Sequence, residues 1–97
     1  MAKVFIANKS SHDFSMASHY GEFIYITEGI IRRFNTNDMH RRAEDAFKDS
    51  SPDDWILPCA LNTLNVIICS TFAVKHKKLN LLLFRSGGGY LERTLVF

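Results

Sequence analysis

The sequence predicts a single α/β domain, residues 1–97, with a mixed sheet of about five strands and two main helices. Short apolar runs rich in β-branched and aromatic residues alternate with two segments of helical periodicity. The stretch 53–84 has the pattern of one strand–helix–strand unit, which is typical of parallel strands. A length of 97 residues and a hydrophobic share of 46% fit one globular domain of ordinary composition.

The first half of the chain predicts two neighbouring strands followed by a helix. In order, the expected elements are a strand at residues 3–8, a polar loop with room for one helical turn at 9–21 and a strand at 22–27. Thr36 or Asn37 is placed to cap a helix that runs to about Lys48 and carries a narrow apolar stripe. The Pro, Ser and Asp residues of 49–54 end this half.

The second half predicts a strand, a helix and a closing hairpin. The expected elements are a strand at residues 55–59, a helix from about 62 to 77, and strands at 79–84 and 90–97 joined by the Gly-rich turn 86–89. Asn62 or Thr63 is placed to cap the helix. The complete order is therefore β-β-α-β-α-β-β.

The second predicted helix is apolar almost all round, which indicates that more than one of its sides is covered. A domain of this size buries only a modest core, so the second cover is expected to come from a partner subunit. The sequence therefore predicts a homodimer.

Composition excludes some classes of partner and places the chain in a compartment. Twelve basic and ten acidic residues give a net charge of +2, which is too balanced to indicate nucleic-acid binding. The apolar region 56–74 is interrupted by proline and asparagine, so it is not read as a membrane span. Cys59 and Cys69 lie in apolar surroundings and are expected to be reduced. With no secretory pattern at the start, the chain is expected in the cytoplasm, or in the host cytoplasm for a viral protein.

The turn before the second helix is the first candidate site. Ligands of open α/β sheets bind at the carboxyl ends of the strands, often against a helix N-terminus. Asn62 and Thr63 offer side-chain hydrogen bonds there, and the first backbone N–H groups of the helix suit a phosphate, a carboxylate or a nucleotide. The alternative is plain capping by Asn62, with Asn65 satisfying a local backbone group.

The polar loop after the first strand is the second candidate site. Asn8, Ser10 and His12 lie at the same sheet edge as the opening turn if the strands are parallel. His12 and Asp13 beside two serines are the residue types of acyl-transfer chemistry, which makes His12 a candidate acid or base. The alternative is an exposed loop with an Asx-type turn. No metal site is predicted, because the histidine spacing does not match a zinc helix.

Two further segments bear on the site. Thr27 and Glu28 end the second strand and would join the site only if that strand runs parallel to the first. A basic cluster is followed at once by acidic residues, which favours a charge-balanced helix face with an Arg41–Asp45 pair over a phosphate-contacting patch. The cluster consists of Arg32, Arg33, His40, Arg41 and Arg42.

The opening residues Lys3 to Asn8 resemble the first strand of the small viral and phage ring-nuclease (anti-CRISPR) proteins. The order of elements is similar, as is a strand that leads through a polar turn into an apolar helix with a late cysteine. The resemblance implies a compact, homodimeric, virus- or phage-encoded α/β protein that binds cyclic tetra-adenylate. That family cleaves its ligand with Gly-His-Asp/Glu at the turn before the helix. Residues 59–63 here are Cys-Ala-Leu-Asn-Thr, with no His and no acid, so the resemblance implies binding without cleavage.

Three functional hypotheses follow. The leading one is a small protein that holds a nucleotide-like or other anionic ligand at the carboxyl edge of the sheet. Its ligand-binding residues would be Asn8, Ser10, His12, Asn62 and Thr63. The second is a non-enzymatic interaction module that masks a host factor. The third is a ring-nuclease-like phosphodiesterase that uses His12 as acid or base. No cofactor is expected in any of the three.

Overall fold

The computed structural model describes residues 2–97, and Met1, where the predicted domain begins, lies outside the described residues. Its elements are β1 (Lys3–Lys9), a 3-10 helix (Ser15–Tyr20), β2 (Glu22–Glu28), α1 (Thr36–Ala46), β3 (Trp55–Leu57), α2 (Asn62–His76), β4 (Lys78–Phe84) and β5 (Tyr90–Val96). The predicted α/β class and the order of strands and main helices are confirmed.

The strands form one five-stranded mixed sheet in the order β2-β1-β3-β4-β5. β1 is parallel to both β2 and β3, β3 is parallel to β4, and β4 and β5 form an antiparallel hairpin. The first two strands are therefore neighbours, as predicted. Their relative direction, which the sequence left open, is parallel, so their carboxyl ends meet at one edge of the sheet.

The start of β2 lies close against the start of β1, and Gly21 makes this approach possible. Its φ is 155°, and a Cβ at this position would lie 2.0 Å from the Ala2 carbonyl oxygen. Any other residue would collide with that backbone group, so a glycine is required where the loop returns to the sheet.

Both faces of the sheet are covered, which explains why β1 is apolar at consecutive positions. On one face, α1 and α2 pack on a core that contains Phe5, Ile56 and Phe72. On the other face, the loop with the 3-10 helix places Phe14 and Ala17 over Val4, Ile6, Leu57 and Leu82. The polar segment between β1 and β2 is thus a structural layer of the domain.

The helix caps differ from the predicted ones. Asn35 caps α1, because its side-chain oxygen accepts a hydrogen bond from the Asp38 N–H at 3.4 Å, and neither Thr36 nor Asn37 does so. Leu61 occupies the N-cap of α2 without any side-chain cap bond, so the predicted capping by Asn62 or Thr63 is wrong. β3 is shorter than predicted and ends at Leu57, since Pro58 has no N–H for the ladder.

The second helix buries only one of its apolar sides within this chain. Leu64, Ile68 and Phe72 lie in the core, whereas Val66 and Val74 are exposed. The predicted cover of the other side by a partner subunit stays a prediction. Within residues 2–97, no helix has the length and apolar character needed to cross a membrane.

Candidate functional site

The strand order creates a topological switch point between β1 and β3. The chain leaves β1 for β2 on one side and later returns to β3 on the other side. The loop after β1 packs on the 3-10 face of the sheet, whereas the turn after β3 leads to α2 on the opposite face. Connections that diverge in this way leave a crevice at the carboxyl ends of the two strands, where open α/β sheets bind ligands.

A cavity of about 410 Å³ lies at this switch point. That volume falls in the range of small-molecule sites, about 300 to 1,000 Å³. Three parts of the chain line it: the segment after β1, the turn after β3, and the ends of β4 and β5 on either side of the Gly-rich turn. The lining residues are Asn8, Ser10, His12, Phe14, Leu57, Pro58, Cys59, Ala60, Phe84 and Tyr90.

Aromatic rings form much of the cavity wall. The His12 ring lies 4.9 Å from the Phe14 ring and 6.1 Å from the Phe84 ring, measured between centroids. Phe84 in turn lies 5.7 Å from Tyr90 in an edge-on arrangement. Burial raises the pKa of the Tyr90 phenol, so its hydroxyl stays protonated at physiological pH. The wall therefore combines flat apolar surfaces with a few polar atoms.

Ser10, His12 and Asp13 in the loop after β1 do not form a catalytic triad. The Asp13 carboxylate accepts a hydrogen bond of 2.8 Å from the Ser15 N–H at the start of the 3-10 helix, and this contact lowers its pKa. The Ser10 hydroxyl oxygen accepts a bond from the His12 backbone N–H at 3.3 Å. Both side chains therefore stabilise the loop, and His12 keeps its place in the cavity wall without a carboxylate that orients it.

The turn after β3 is strained and holds a protonated thiol. Ala60 adopts the left-handed conformation, with φ of 63°, which is unfavourable for a residue with a Cβ. The Cys59 N–H donates to the Asn65 side-chain oxygen at 3.1 Å, and its thiol donates to the Asn8 carbonyl at 3.6 Å. Burial raises the pKa of this thiol. Cys59 is thus a wall residue and not an activated nucleophile.

A reactivity measurement tests this reading of Cys59. In a Cys69→Ser variant, iodoacetamide is expected to modify Cys59 more slowly at about pH 8 than it modifies the same variant unfolded in urea, because the thiolate is the reactive form. Intact-protein mass spectrometry gives the ratio of the modification rate in the folded variant to the rate in the unfolded variant. This ratio should approach one only at more alkaline pH. A folded-state rate equal to the unfolded-state rate at about pH 8 would contradict the raised pKa.

Asn8 lines the cavity, but its amide is engaged toward β2. Its Nδ2 donates to the Gly29 carbonyl at 3.1 Å, and its Oδ1 accepts from the Thr27 hydroxyl at 2.9 Å. Because β1 and β2 are parallel, Thr27 and Glu28 reach the same sheet edge. They line a separate cavity of about 360 Å³ between the end of β2 and the start of α1. Asn8 therefore lines the switch-point cavity and is hydrogen-bonded to Thr27, which lines the second cavity.

Asn62 and Thr63 lie at the carboxyl edge but outside the switch-point cavity. Both are exposed on the first turn of α2, and neither is among the lining residues. The helix still begins beside the cavity, since Cys59 and Ala60 form part of its wall. Without a side-chain cap, the first N–H groups of α2 keep their hydrogen-bonding capacity at this edge. Of the predicted set, the fold brings together Asn8, Ser10 and His12.

The basic cluster pairs differently from the prediction. Arg41 and Arg42 both bind the Asp38 carboxylate, the latter at 2.9 Å, whereas Asp45 lies 3.7 Å from Lys48. The expected Arg41–Asp45 pair is therefore wrong, since Asp38 in the first turn is nearer to both arginines. In the part of the chain that the structure describes, no group of three His, Cys, Asp or Glu side chains is placed to hold a metal ion.

Sequence reasoning missed the aromatic half of the cavity. Phe14, Phe84 and Tyr90 come from a loop and from both strands of the hairpin, far apart in the chain. One local signal was present: Phe84 ends an apolar strand one residue before the Gly-rich turn, which places it at the edge of the sheet. The pairing of Phe84 with Tyr90 follows from the hairpin register.

Comparison of the chain with family models, with curated proteins and with solved structures gives no match in any of the three. The functional argument therefore rests on the geometry of the switch-point cavity.

Proposed function

We propose that this protein binds a small, nucleotide-like ligand in the switch-point cavity. The observation that carries this proposal is the position of a 410 Å³ aromatic-walled cavity between the carboxyl ends of β1 and β3. A flat heteroaromatic ring would stack on the exposed Phe84 ring beside Tyr90, because stacking on such rings is favourable for any base.

The anionic part of the ligand is assigned to the start of α2. The N-terminus of a helix carries a partial positive charge and donors without internal partners. This end of α2 has no side-chain cap and lies next to the wall residue Ala60. A phosphate at this position would contact backbone N–H groups, so the side chains of Asn62 and Thr63 would contribute little to its affinity.

The test compares three probes that separate ring from anion. AMP carries both parts, adenosine only the ring, and inorganic phosphate only the anion. We expect AMP to bind more tightly than either of the others, as measured by calorimetry and by chemical-shift changes. A cyclic oligoadenylate extends the series to the ligand that the family resemblance implies. Equal binding of AMP and phosphate would contradict the role of the aromatic wall.

A matched pair of variants locates the ligand. Phe84→Ala removes an exposed wall ring and is expected to weaken AMP binding by about tenfold or more, the value of one stacked base. Phe34→Ala makes the same change at an exposed phenylalanine outside the cavity and should leave affinity unchanged. The double change Asn62→Ala with Thr63→Ala should also preserve binding. AMP affinity that survives Phe84→Ala would place the ligand elsewhere.

A second candidate function is binding of another protein through the loop 29–35. Ile30 is fully exposed and Phe34 is 88% exposed, with Arg32 and Arg33 between them. Exposed apolar side chains beside arginines are typical of protein-binding surfaces. The same variant pair separates the two functions: a complex with a purified partner would be lost in Phe34→Ala and kept in Phe84→Ala, the reverse of the ligand pattern.

Catalysis is a third outcome of the same experiments. Turnover of a cyclic oligoadenylate that is lost in His12→Ala would favour the phosphodiesterase hypothesis. Unchanged turnover in that variant would remove His12 from the mechanism. The arrangement around His12 favours binding, since Asp13 is engaged with Ser15 and burial keeps the Cys59 thiol protonated.

A further inference from the structure

The outer strand β5 leaves a row of backbone hydrogen-bonding groups without a neighbouring strand. β5 is at the end of the sheet, and among the strands of residues 2–97 it pairs with β4 alone. Two backbone hydrogen bonds show which residues of the hairpin are hydrogen-bonded pairs. The Arg85 N–H donates to the Gly89 carbonyl, and the Phe97 N–H donates to the Lys77 carbonyl. In this pairing the odd-numbered residues of β5 bond to β4, so Glu92, Thr94 and Val96 direct their N–H and carbonyl groups away from the sheet. The Glu92 carbonyl accepts a bond of 2.8 Å from the exposed Arg93 side chain, which a partner strand would replace.

Apolar side chains accompany this open edge. Leu95, Val96 and Phe97 are 49%, 80% and 66% exposed. Neither α1 nor α2 crosses over β5, because both helices belong to the crossovers between parallel strands. A long edge strand with exposed apolar residues and no proline is a template for pairing with another strand.

We propose that a second copy of this chain pairs with this edge, β5 to β5 in antiparallel orientation, so that the sheet continues across a two-fold axis at Thr94. Such an interface is self-complementary by symmetry. In this register Thr94 faces the partner's Thr94, and Glu92 faces the partner's Val96. On the helix side, Leu91 faces the partner's Phe97 and Arg93 faces the partner's Leu95.

Charge repulsion disfavours one neighbouring register of β5 and disfavours the same pairing at the other edge of the sheet. A shift of the axis to Arg93 would place that residue directly against the partner's Arg93, and like charges in opposed positions are unfavourable. The other outer strand, β2, begins at Glu22 and ends at Glu28. A symmetric antiparallel pairing of β2 about its middle would set Glu22 against the partner's Glu28 at both ends. The proposed second copy therefore lies beside β5, a different position from the cover over α2 that the sequence pattern predicts.

The first test is the oligomeric state, measured by sedimentation over a range of concentrations. We expect the native chain to dimerise and Thr94→Pro to remain a monomer, because proline removes the N–H at the axis without removing a bond to β4. Thr94→Val is the matched control. It loses the same hydroxyl, which bonds to Asn80 at 3.0 Å, but keeps the N–H, so it should still dimerise. A native chain that stays monomeric, or a Thr94→Pro variant that still dimerises, overturns the proposal.

The second test reports the register and does not depend on the folding of the proline variant. Opposed residues of a hydrogen-bonded antiparallel pair have Cα atoms about 5.5 Å apart, within reach of a disulfide. Under mild oxidation Thr94→Cys should form a covalent dimer, while Arg93→Cys should not, since its Cα atom lies diagonal to the partner's Arg93. The parent chain, which contains Cys59 and Cys69, controls for disulfides through those thiols. A covalent dimer from Arg93→Cys and none from Thr94→Cys overturns the register.

Discussion

Replacing Phe47 with alanine is expected to lower the free energy of unfolding by about 3 to 5 kcal/mol. Phe47 is only 1% exposed, so the substitution removes a complete buried ring and leaves a cavity. The ring lies 4.9 Å from Phe5 and 5.4 Å from Phe72 in edge-on geometry, and it thereby links β1, the end of α1 and α2. A domain of this size has a total stability of about 5 to 15 kcal/mol, so the loss should be large.

Urea denaturation followed by circular dichroism measures this effect. The backbone contacts of residue 47, where the carbonyl accepts bonds from Ser50 and Lys75, remain available in the variant. Phe34→Ala is the control, because it deletes the same side chain at an exposed position and should change stability by less than about 0.5 kcal/mol. Equal midpoints for the two variants would show that the aromatic cluster does not hold the helices to the sheet.

Asp54→Ala is expected to lower the free energy of unfolding by about 3 kcal/mol, although residue 54 lies in a segment rich in loop-forming residues. Asp54 is 3% exposed, and its carboxylate accepts the Lys3 N–H at 2.9 Å and the Ser51 N–H at 2.8 Å. Removal of the carboxylate leaves both donors without this acceptor. Because hydrogen bonds to a charged group contribute about 1.5 to 3 kcal/mol each, the loss should exceed that of an ordinary surface change.

Asp53→Ala is the matched control for Asp54→Ala. The Asp53 side chain is 83% exposed and lies 3.8 Å from the Lys78 ammonium, an arrangement that contributes little to stability. Asp54→Asn adds a graded step, since its amide offers one acceptor oxygen and should keep only part of the effect. Thermal and urea unfolding of the three variants would reveal the order, and similar values for the alanine variants at 53 and 54 would contradict it.

The candidate site was only partly predictable from the sequence. Asn8, Ser10 and His12 follow a predicted strand, and the rule that ligands bind at carboxyl ends was enough to select them. The sequence predicts Asn62 and Thr63 as ligand-binding residues at the helix start, with plain capping as the alternative. Leu61 takes the cap position, and both side chains are exposed on the first turn. Helix ends are uncertain by a residue or two in a sequence pattern, and here the cap lies one residue before the predicted pair.

The aromatic wall could not be predicted, because it depends on contacts between distant segments. Phe14 comes from the first loop, whereas Phe84 and Tyr90 come from the final hairpin. Asp54 illustrates the same limit: its partner Lys3 is 51 residues earlier in the chain. A cluster of Asp, Ser and Pro predicts a turn locally, but only the meeting of β1 with β3 buries one of its carboxylates.

The class and order of the elements could be read along the chain, because they depend on local periodicity and turn residues. Apolar runs became strands, the two helical patterns became α1 and α2, and the Gly-rich segment became the hairpin turn. The parallel direction of β1 and β2, the switch point with its cavity and the open edge of β5 emerge only once the chain is folded. These features depend on which face each connection crosses, and that choice is made by burial of side chains from the whole chain.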